Sequence, residues 1–299
     1  MTTLQSAIRG IRPLTGRGGE RRPGPVVFLV LLWLSLVVAF GVLATLIVTI
    51  VLEGMPQFTT RLFTEYPASS PDEAGARPAI LGSIWVIATT AVMTVPLGIA
   101  AAVHLEEFAD QRNWFNRLIE LNVQNLAAVP SIVYGLLALA FLSMLGVRDK
   151  SIVIGGALAL SLLILPVVII ATREALRAVP AEIRQASLAL GATPLQTTWR
   201  QTLPAAVPGI ATGTILALSR ALGEAAPLLV LGALVFVSFD PNGLLSGYTT
   251  LPIQIFGWTG RPQAGFHELA AATSVLLLVV LLAMNAVAIL IRNRFQKRW

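Results

Sequence analysis

The 299-residue chain contains no cysteine, two histidines, three tyrosines and only 12% charged side chains. Without cysteine there is no disulfide framework, no thiol nucleophile and no Cys-ligated zinc. His104 and His267 are the only imidazoles, they are far apart, and neither belongs to an H-E-x-x-H run. The phosphate-cradling pattern of Gly, four residues, then Gly-Lys-Ser/Thr is also absent, so any nucleotide and its magnesium belong to a partner and no cofactor is expected in this chain. Charge at about half the ~25% of ordinary soluble proteins cannot cover a globular surface. Disorder is excluded by the opposite excess, since 56% of the residues are hydrophobic. What remains is a polytopic membrane protein. The alternating ~10-residue pattern of barrel strands is missing, so the spans are helices and the fold class is all-α.

A helix crosses a ~30 Å hydrocarbon core with ~20 residues. Runs free of Asp, Glu, Lys and Arg cover Pro23–Leu52, Pro78–Leu105, Leu121–Val147, Ser151–Thr172 and Leu269–Ile291, and a further run, Pro208–Phe239, is interrupted only by Arg220 and Glu224. The reading is six transmembrane helices over about residues 26–52, 80–104, 126–146, 151–171, 208–238 and 269–291. The first is too long for the apolar core of a cleaved signal and reads as a retained anchor. Basic tails flank the spans at residues 1–25 and 292–299.

Of the 21 Lys and Arg, fifteen lie before Pro23, between Glu106 and Glu120, between Arg173 and Arg200, and from Arg292 onward; five lie in the alternate connections and Arg220 inside a span. The positive-inside rule then puts both termini in the cytoplasm. Topology alone accounts for the net charge of +6, so the basic residues imply no nucleic acid. The loops over Glu53–Arg77 and Asp240–Glu268, with Tyr248 and Trp258, are expected on the external side, open to a partner.

The cytoplasmic segment at 173–206 has the grammar of helix, turn, helix. Pro180 suits the first turn of a helix carrying Ile183, Ala186, Ser187 and Leu190, and Gly191 supplies its stop. Thr193 then caps a second helix with Pro194 at its first position, which ends at Leu203 and Pro204. Such a pair also describes a DNA-reading motif, but about 30 residues tethered at both ends leave no room for a supporting core. A plain amphipathic loop on the bilayer is the other physical reading.

The run Gln185-Ala186-Ser187, three residues, Gly191, nine residues, Gln201-Thr202-Leu203-Pro204 resembles the EAA loop of ABC importer permeases, with Gln185 where the family has Glu and Gln201 where it has Ile. The resemblance extends through Asn125 to Gly135 and through Leu218 to Leu229, where the chain is similar to PstA-type permease subunits of phosphate ABC importers; Ala225 replaces a Thr in the last block. The resemblance implies a type I ABC importer permease fold. It also implies four kinds of partner: a homologous PstC-type permease, a PstB-type ATPase dimer that binds ATP and magnesium, an extracytoplasmic PstS-type phosphate-binding protein, and inorganic phosphate. Within it, Gln185, Ala186, Ser187, Gly191, Leu203 and Pro204 make the ATPase-coupling loop, with Ile183, Leu190 and Leu195 as the apolar face that docks into a groove.

Arg220 and Glu224 are the candidate pathway residues. An Arg at mid-bilayer costs ~2.5–3.5 kcal/mol on insertion scales and faces a bundle interior or a water-filled cavity. On one continuous helix the i, i+4 spacing puts both on the face that carries Gly213 and Ala217. Glu224 either neutralises Arg220 for insertion or shares a role in phosphate passage, and the resemblance favours the second. Thr89, Thr90, Thr94, Asn125, Ser131 and Tyr134 either line a path or bond backbone carbonyls. The rivals are a permease for sulfate or molybdate and a stand-alone secondary transporter, for which the expected inverted repeat is not found.

Overall fold

The computed structural model describes residues 23–110 and 112–295, and the described residues form twelve α-helices with short 3-10 and π turns. The basic tail expected over residues 1–25 lies outside the described residues up to residue 22, as do residues 296–299 of the second tail. The described residues up to Thr49 make one compact unit and those from Ile50 onward a second. In the first, α1 (Pro23–Gly54) exposes every side chain from Val27 to Leu46, as an apolar rod does when lipid or another subunit replaces water around it.

The second unit is built around α6 (Val153–Arg177), which buries 67% of its most apolar stretch against 33% for α3 (Arg77–Val103). Among the described residues, five helical stretches are long and apolar enough to cross a bilayer: Val27–Gln57, Arg77–Phe108, Val153–Arg177, Pro194–Leu222 and Ala264–Arg294. The run expected as a span over 126–146 is not one rod. It is α4 (Trp114–Ala127) and α5 (Ser131–Met144), bent by 110° at Pro130, and only if the bent pair counts as one span does the number reach six. Pro130 has no N–H to continue the ladder and its predecessor is pushed out of the helical region, so the chain turns instead of kinking.

The span expected over 208–238 is corrected more deeply. The helix in that region starts at α8 (Pro194–Thr197), runs through a π turn at Thr198–Thr202 into α9 (Leu203–Leu222), and stops at Gly223. A continuous helix would set the Pro227 ring against the Gly223 carbonyl. Instead the chain makes a five-residue helix α10 (Ala226–Val230), leaves it at Gly232 with φ of 80°, and continues without regular structure to Thr250. That irregular stretch is bonded to protein. Val153 N donates to Ser246 O (3.0 Å) and Ile154 N to Leu244 O (2.9 Å), which satisfies two of the first, otherwise orphaned, N–H groups of α6. Non-helical backbone is tolerated at membrane depth when it is buried in this way.

Leu203 and Pro204 therefore do not end the second loop helix; they lie in the first turn of α9. In the π turn, Leu203 N reaches back to Thr198 O, and the shifted register leaves Pro204 where no donor is required. α9 runs antiparallel to α6 and packs closely on it, because Gly209 and Gly213 leave room for Ala175 and Ala171. α11 (Leu251–Thr259) and α12 (Ala264–Phe295) complete the unit, with Trp258, Phe266, Leu269 and Leu62 of the short α2 (Thr60–Thr64) in one apolar cluster. Tyr248 and Trp258 are thus buried, and are not surface features for a partner.

Candidate functional site

The segment after α6 forms one end of the second unit. α7 (Ala181–Ala189) ends in a complete glycine stop: Gly191 has φ of 85°, its N–H donates to Leu188 O (2.9 Å) and Ala192 N–H to Ser187 O (3.2 Å). These are the two bonds of a Schellman motif, and they require the left-handed conformation that glycine adopts without strain. Thr193 then caps α8 in a reciprocal capping box, its side chain accepting from Gln196 N (3.2 Å) while Gln196 Oε1 accepts from Thr193 N (2.9 Å). Ser187 and Thr197 hydroxyls meet at 2.9 Å and tie the two helices together.

Between α7 and the α8 region lies a groove of about 540 Å³, lined by Ile183, Ala186, Ser187, Leu190, Gln196 and Arg200 among others. Leu190 is 90% and Leu195 56% exposed, so the apolar face expected for docking is presented, while Ile183 tucks against the cluster of Val103, Leu176 and Val179. Gln185, Ala186, Gly191 and Pro204 are exposed, and Ser187 and Leu203 are half-buried.

Arg220 and Glu224 come together, but not on one helical face. Arg220 is in the last turn of α9 and Glu224 lies beyond its cap, Gly223. Arg220 Nε and Glu224 Oε1 stand 3.7 Å apart, with 51% of the Arg side chain and 21% of the Glu side chain exposed. The Arg therefore also complements the helix C-terminal dipole. Within α9, Arg220 keeps the helical face of Gly213 and Ala217, of which Gly213 is packed on Ala171 of α6 and Ala217 is buried, while Glu224 lies past the helix end. Three of the other polar candidates bond backbone carbonyls, whereas the Thr94 hydroxyl is buried without a hydrogen-bond partner. Thr90 donates to Val86 O (2.7 Å), Thr89 to Trp85 O (2.8 Å) and Tyr134 to Leu126 O (2.5 Å).

A cluster the sequence reading used only for counting topology gathers at the loop end. The helix of α3 continues as a π turn, His104–Phe108, which carries Glu106 and Glu107. Glu106 accepts from Arg173 Nε (3.1 Å) and Arg177 Nε (2.8 Å) of α6, and Glu120 of α4 accepts from Arg173 Nη2 (2.8 Å). Glu107 accepts from Arg184 Nη2 of α7 (2.8 Å). The signals available were the adjacent acids and the i, i+4 spacing of Arg173 and Arg177, but nothing in either stretch names its partner.

Bilayer-length apolar helices, with a capped two-helix turn at one end of the second unit, define a multi-pass membrane protein. Residues 94–299 match the family described as binding-protein-dependent transport system inner membrane component, and the chain belongs to that family. Among its relatives, the phosphate transport system permease protein PstA 1 of Mycobacterium tuberculosis (strain ATCC 25618 / H37Rv) is 37% identical over 220 residues, 73% of this chain and 70% of the relative. PstA of Haemophilus influenzae is 29% identical over 256 residues, 85% and 88% of the two chains. The probable ABC transporter permease protein YqgI of Bacillus subtilis is 30% identical over 263 residues, 83% and 88% of the two chains. The fold is also that of solved ABC importers: a chain of a bacterial alginate ABC transporter matches with a TM-score of 0.65 at 16% identity, over 92% of this chain and 96% of that one. A chain of the MetNI methionine transporter matches with a TM-score of 0.57 at 19% identity, over 72% and 94%.

Proposed function

We propose that this chain is the permease subunit of an ATP-driven phosphate importer, lining half of the translocation pathway and receiving the power stroke through the α7–α8 turn. The observation that carries the reading is a combination within the family-matched residues: a rigidly capped, exposed two-helix turn at one end of the unit, and a half-exposed guanidinium at the end of α9. The 37% identity to a protein named for phosphate transport supports phosphate over sulfate or molybdate as the solute. In this reading a PstC-type permease completes the pathway, a PstB-type ATPase dimer binds ATP and magnesium and docks on the groove around Ser187 and Gln196, and a PstS-type binding protein delivers the anion. Gln185 offers hydrogen bonds there without a charge. A planar guanidinium suits a tetrahedral oxyanion, and Arg220 is placed to meet phosphate in passage.

The test is uptake of labelled phosphate by cells that lack other phosphate carriers and express the chain with its three partners. Saturable uptake that excess sulfate and molybdate leave unchanged is the expected result; uptake of either competitor in place of phosphate overturns the reading. The loop end is assigned to the cytoplasm, as are both termini. A reporter fused after Arg184 should accordingly behave as cytoplasmic and one at Asn242 as external, and the reverse pattern would reverse the assignment.

A further inference from the structure

The ion-pair cluster at the loop end joins the π turn of α3 and the neighbouring α4 to α6 and the neighbouring α7, through partners 53 to 77 residues apart in the chain. Glu106 and Glu107 are consecutive, yet they serve different bodies: Glu106 is held by Arg173 and Arg177 of α6, Glu107 by Arg184 of α7. The side chains of Arg173, Glu106 and Glu107 are 6%, 10% and 10% exposed, so these charges have lost most of their water. Removing one partner of such a pair leaves an uncompensated buried charge.

Arg184 is the singular member. It stands one residue before Gln185, at the base of α7, and its guanidinium engages three acceptors at once: Glu107 Oε1 at 2.8 Å, Leu176 O at 2.8 Å and Val179 O at 2.9 Å. The two carbonyls belong to the end of α6 and the turn after it, and Leu176 O also accepts from Val179 N (3.2 Å). The third partner sits on the π turn that prolongs α3. Among the described residues α7 is also held by the apolar contact of Ile183 with the cluster of Val103, Leu176 and Val179, and by the single hydroxyl contact of Ser187 with Thr197 of α8. An apolar contact can slide, whereas a planar fork bound at three points fixes both distance and angle.

We propose that Arg184 and Glu107 form a strut that transmits displacement of α7 to α3, with Glu106, Arg173, Arg177 and Glu120 holding the ends of α3, α6 and α4 together so that they move as one. The two strut residues are positioning residues, remote from Arg220, and the proposal rests on the reading of the chain as an ATP-driven permease. The π turn has a reason in this arrangement. It carries two adjacent acids that pair with two different helices, one with α6 and one with α7. π turns recur where a helix is adapted to function.

The experiment uses the complete importer with its ATPase, second permease and binding protein in proteoliposomes, and reads phosphate taken up per ATP hydrolysed. Arg184→Gln and Glu107→Gln should each lower that ratio about tenfold, as expected for a coupling free energy, while the ATPase co-purifies in normal amount and basal hydrolysis stays within about twofold. Because the pair acts as a unit, the double variant should match either single variant rather than multiply their losses. A ratio within about twofold of the unaltered complex in either single variant overturns the proposal, as do a multiplicative double variant and a loss explained by missing ATPase. If Arg184→Gln does not assemble, Arg184→Lys decides, since it keeps the charge and loses the fork: an intermediate ratio supports the strut and an unchanged one overturns it. Failure of the phosphate reading would register separately, in the unaltered complex, as uptake of another solute, and the ratio is then taken with that solute.

Discussion

Arg220→Gln is expected to abolish phosphate uptake while the complex reaches its normal level in the membrane. Charge-assisted hydrogen bonds are worth about 1.5–3 kcal/mol each, so losing even one at the anion corresponds to a fall of about tenfold, and losing a bidentate pair to a hundredfold or more. Arg220→Lys keeps the charge but not the fork, and should insert normally and transport poorly. The geometry sharpens the comparison with a purely structural ion pair. At 3.7 Å the contact with Glu224 is beyond hydrogen-bond length, so it leaves the donors of the guanidinium unspent. Glu224 lies past the end of α9, so Glu224→Gln alters charge without touching the helix. If the two residues serve only to cancel each other, the double Gln variant regains uptake. A double variant that assembles and stays inactive supports contact with the anion. Uptake and the membrane level of the complex, measured side by side, decide between them.

Gly191→Val is expected to separate ATP hydrolysis from transport. No atom lies within 4 Å of where a Cβ would stand, so the substitution meets no steric obstacle from its surroundings. Its cost is conformational: a φ of 85° imposes about 1–2 kcal/mol on an L-residue, and β-branching adds to it. The chain can relieve that strain only by giving up the bonds from Gly191 and Ala192 to Leu188 and Ser187, which opens the angle between α7 and α8 and deforms the groove. Gly191→Asn, which tolerates the left-handed region better, should lose less. Co-purification of the ATPase and stimulation of its hydrolysis by phosphate-loaded binding protein are the measurements. If Gly191→Val leaves both undiminished, the turn has no part in docking.

The helical class of the fold and the turn at Gly191 were legible in the sequence because each rests on a local rule. A bilayer selects for charge-free runs of a set length, and α6 announces itself in this way between Lys150 and Arg173. Thr193-Pro194 and Gly191 are punctuation with a single physical meaning. Hydropathy fails where apolar chain is buried in protein rather than in lipid, since both environments ask for the same residues. The 208–238 run is such a case, and Gly223, Pro227 and Gly232 marked the breaks within an otherwise uniform stretch. Pro130 did the same for α4 and α5. Tyr248 and Trp258 sat in connections that read as external, yet they fill the interior, because a connection can also be core. The ion-pair cluster was beyond sequence reading altogether: its partners lie 67, 53 and 77 residues apart, and π turns carry no residue signature.

The stretch between α10 and α11 closes the N-terminal end of α6 with carbonyls of its main chain, at Leu244 and Ser246, and an isolated bridge pairs Ile152 with Gly247. Every residue type has a carbonyl. Drift in side-chain identity at positions 244 and 246 leaves those acceptors in place, whereas adding or removing one residue between Gly232 and Tyr248 moves both out of register with α6. Related chains should accordingly vary freely in composition over this stretch while holding its length constant, the reverse of the usual expectation for a connection that lacks regular structure.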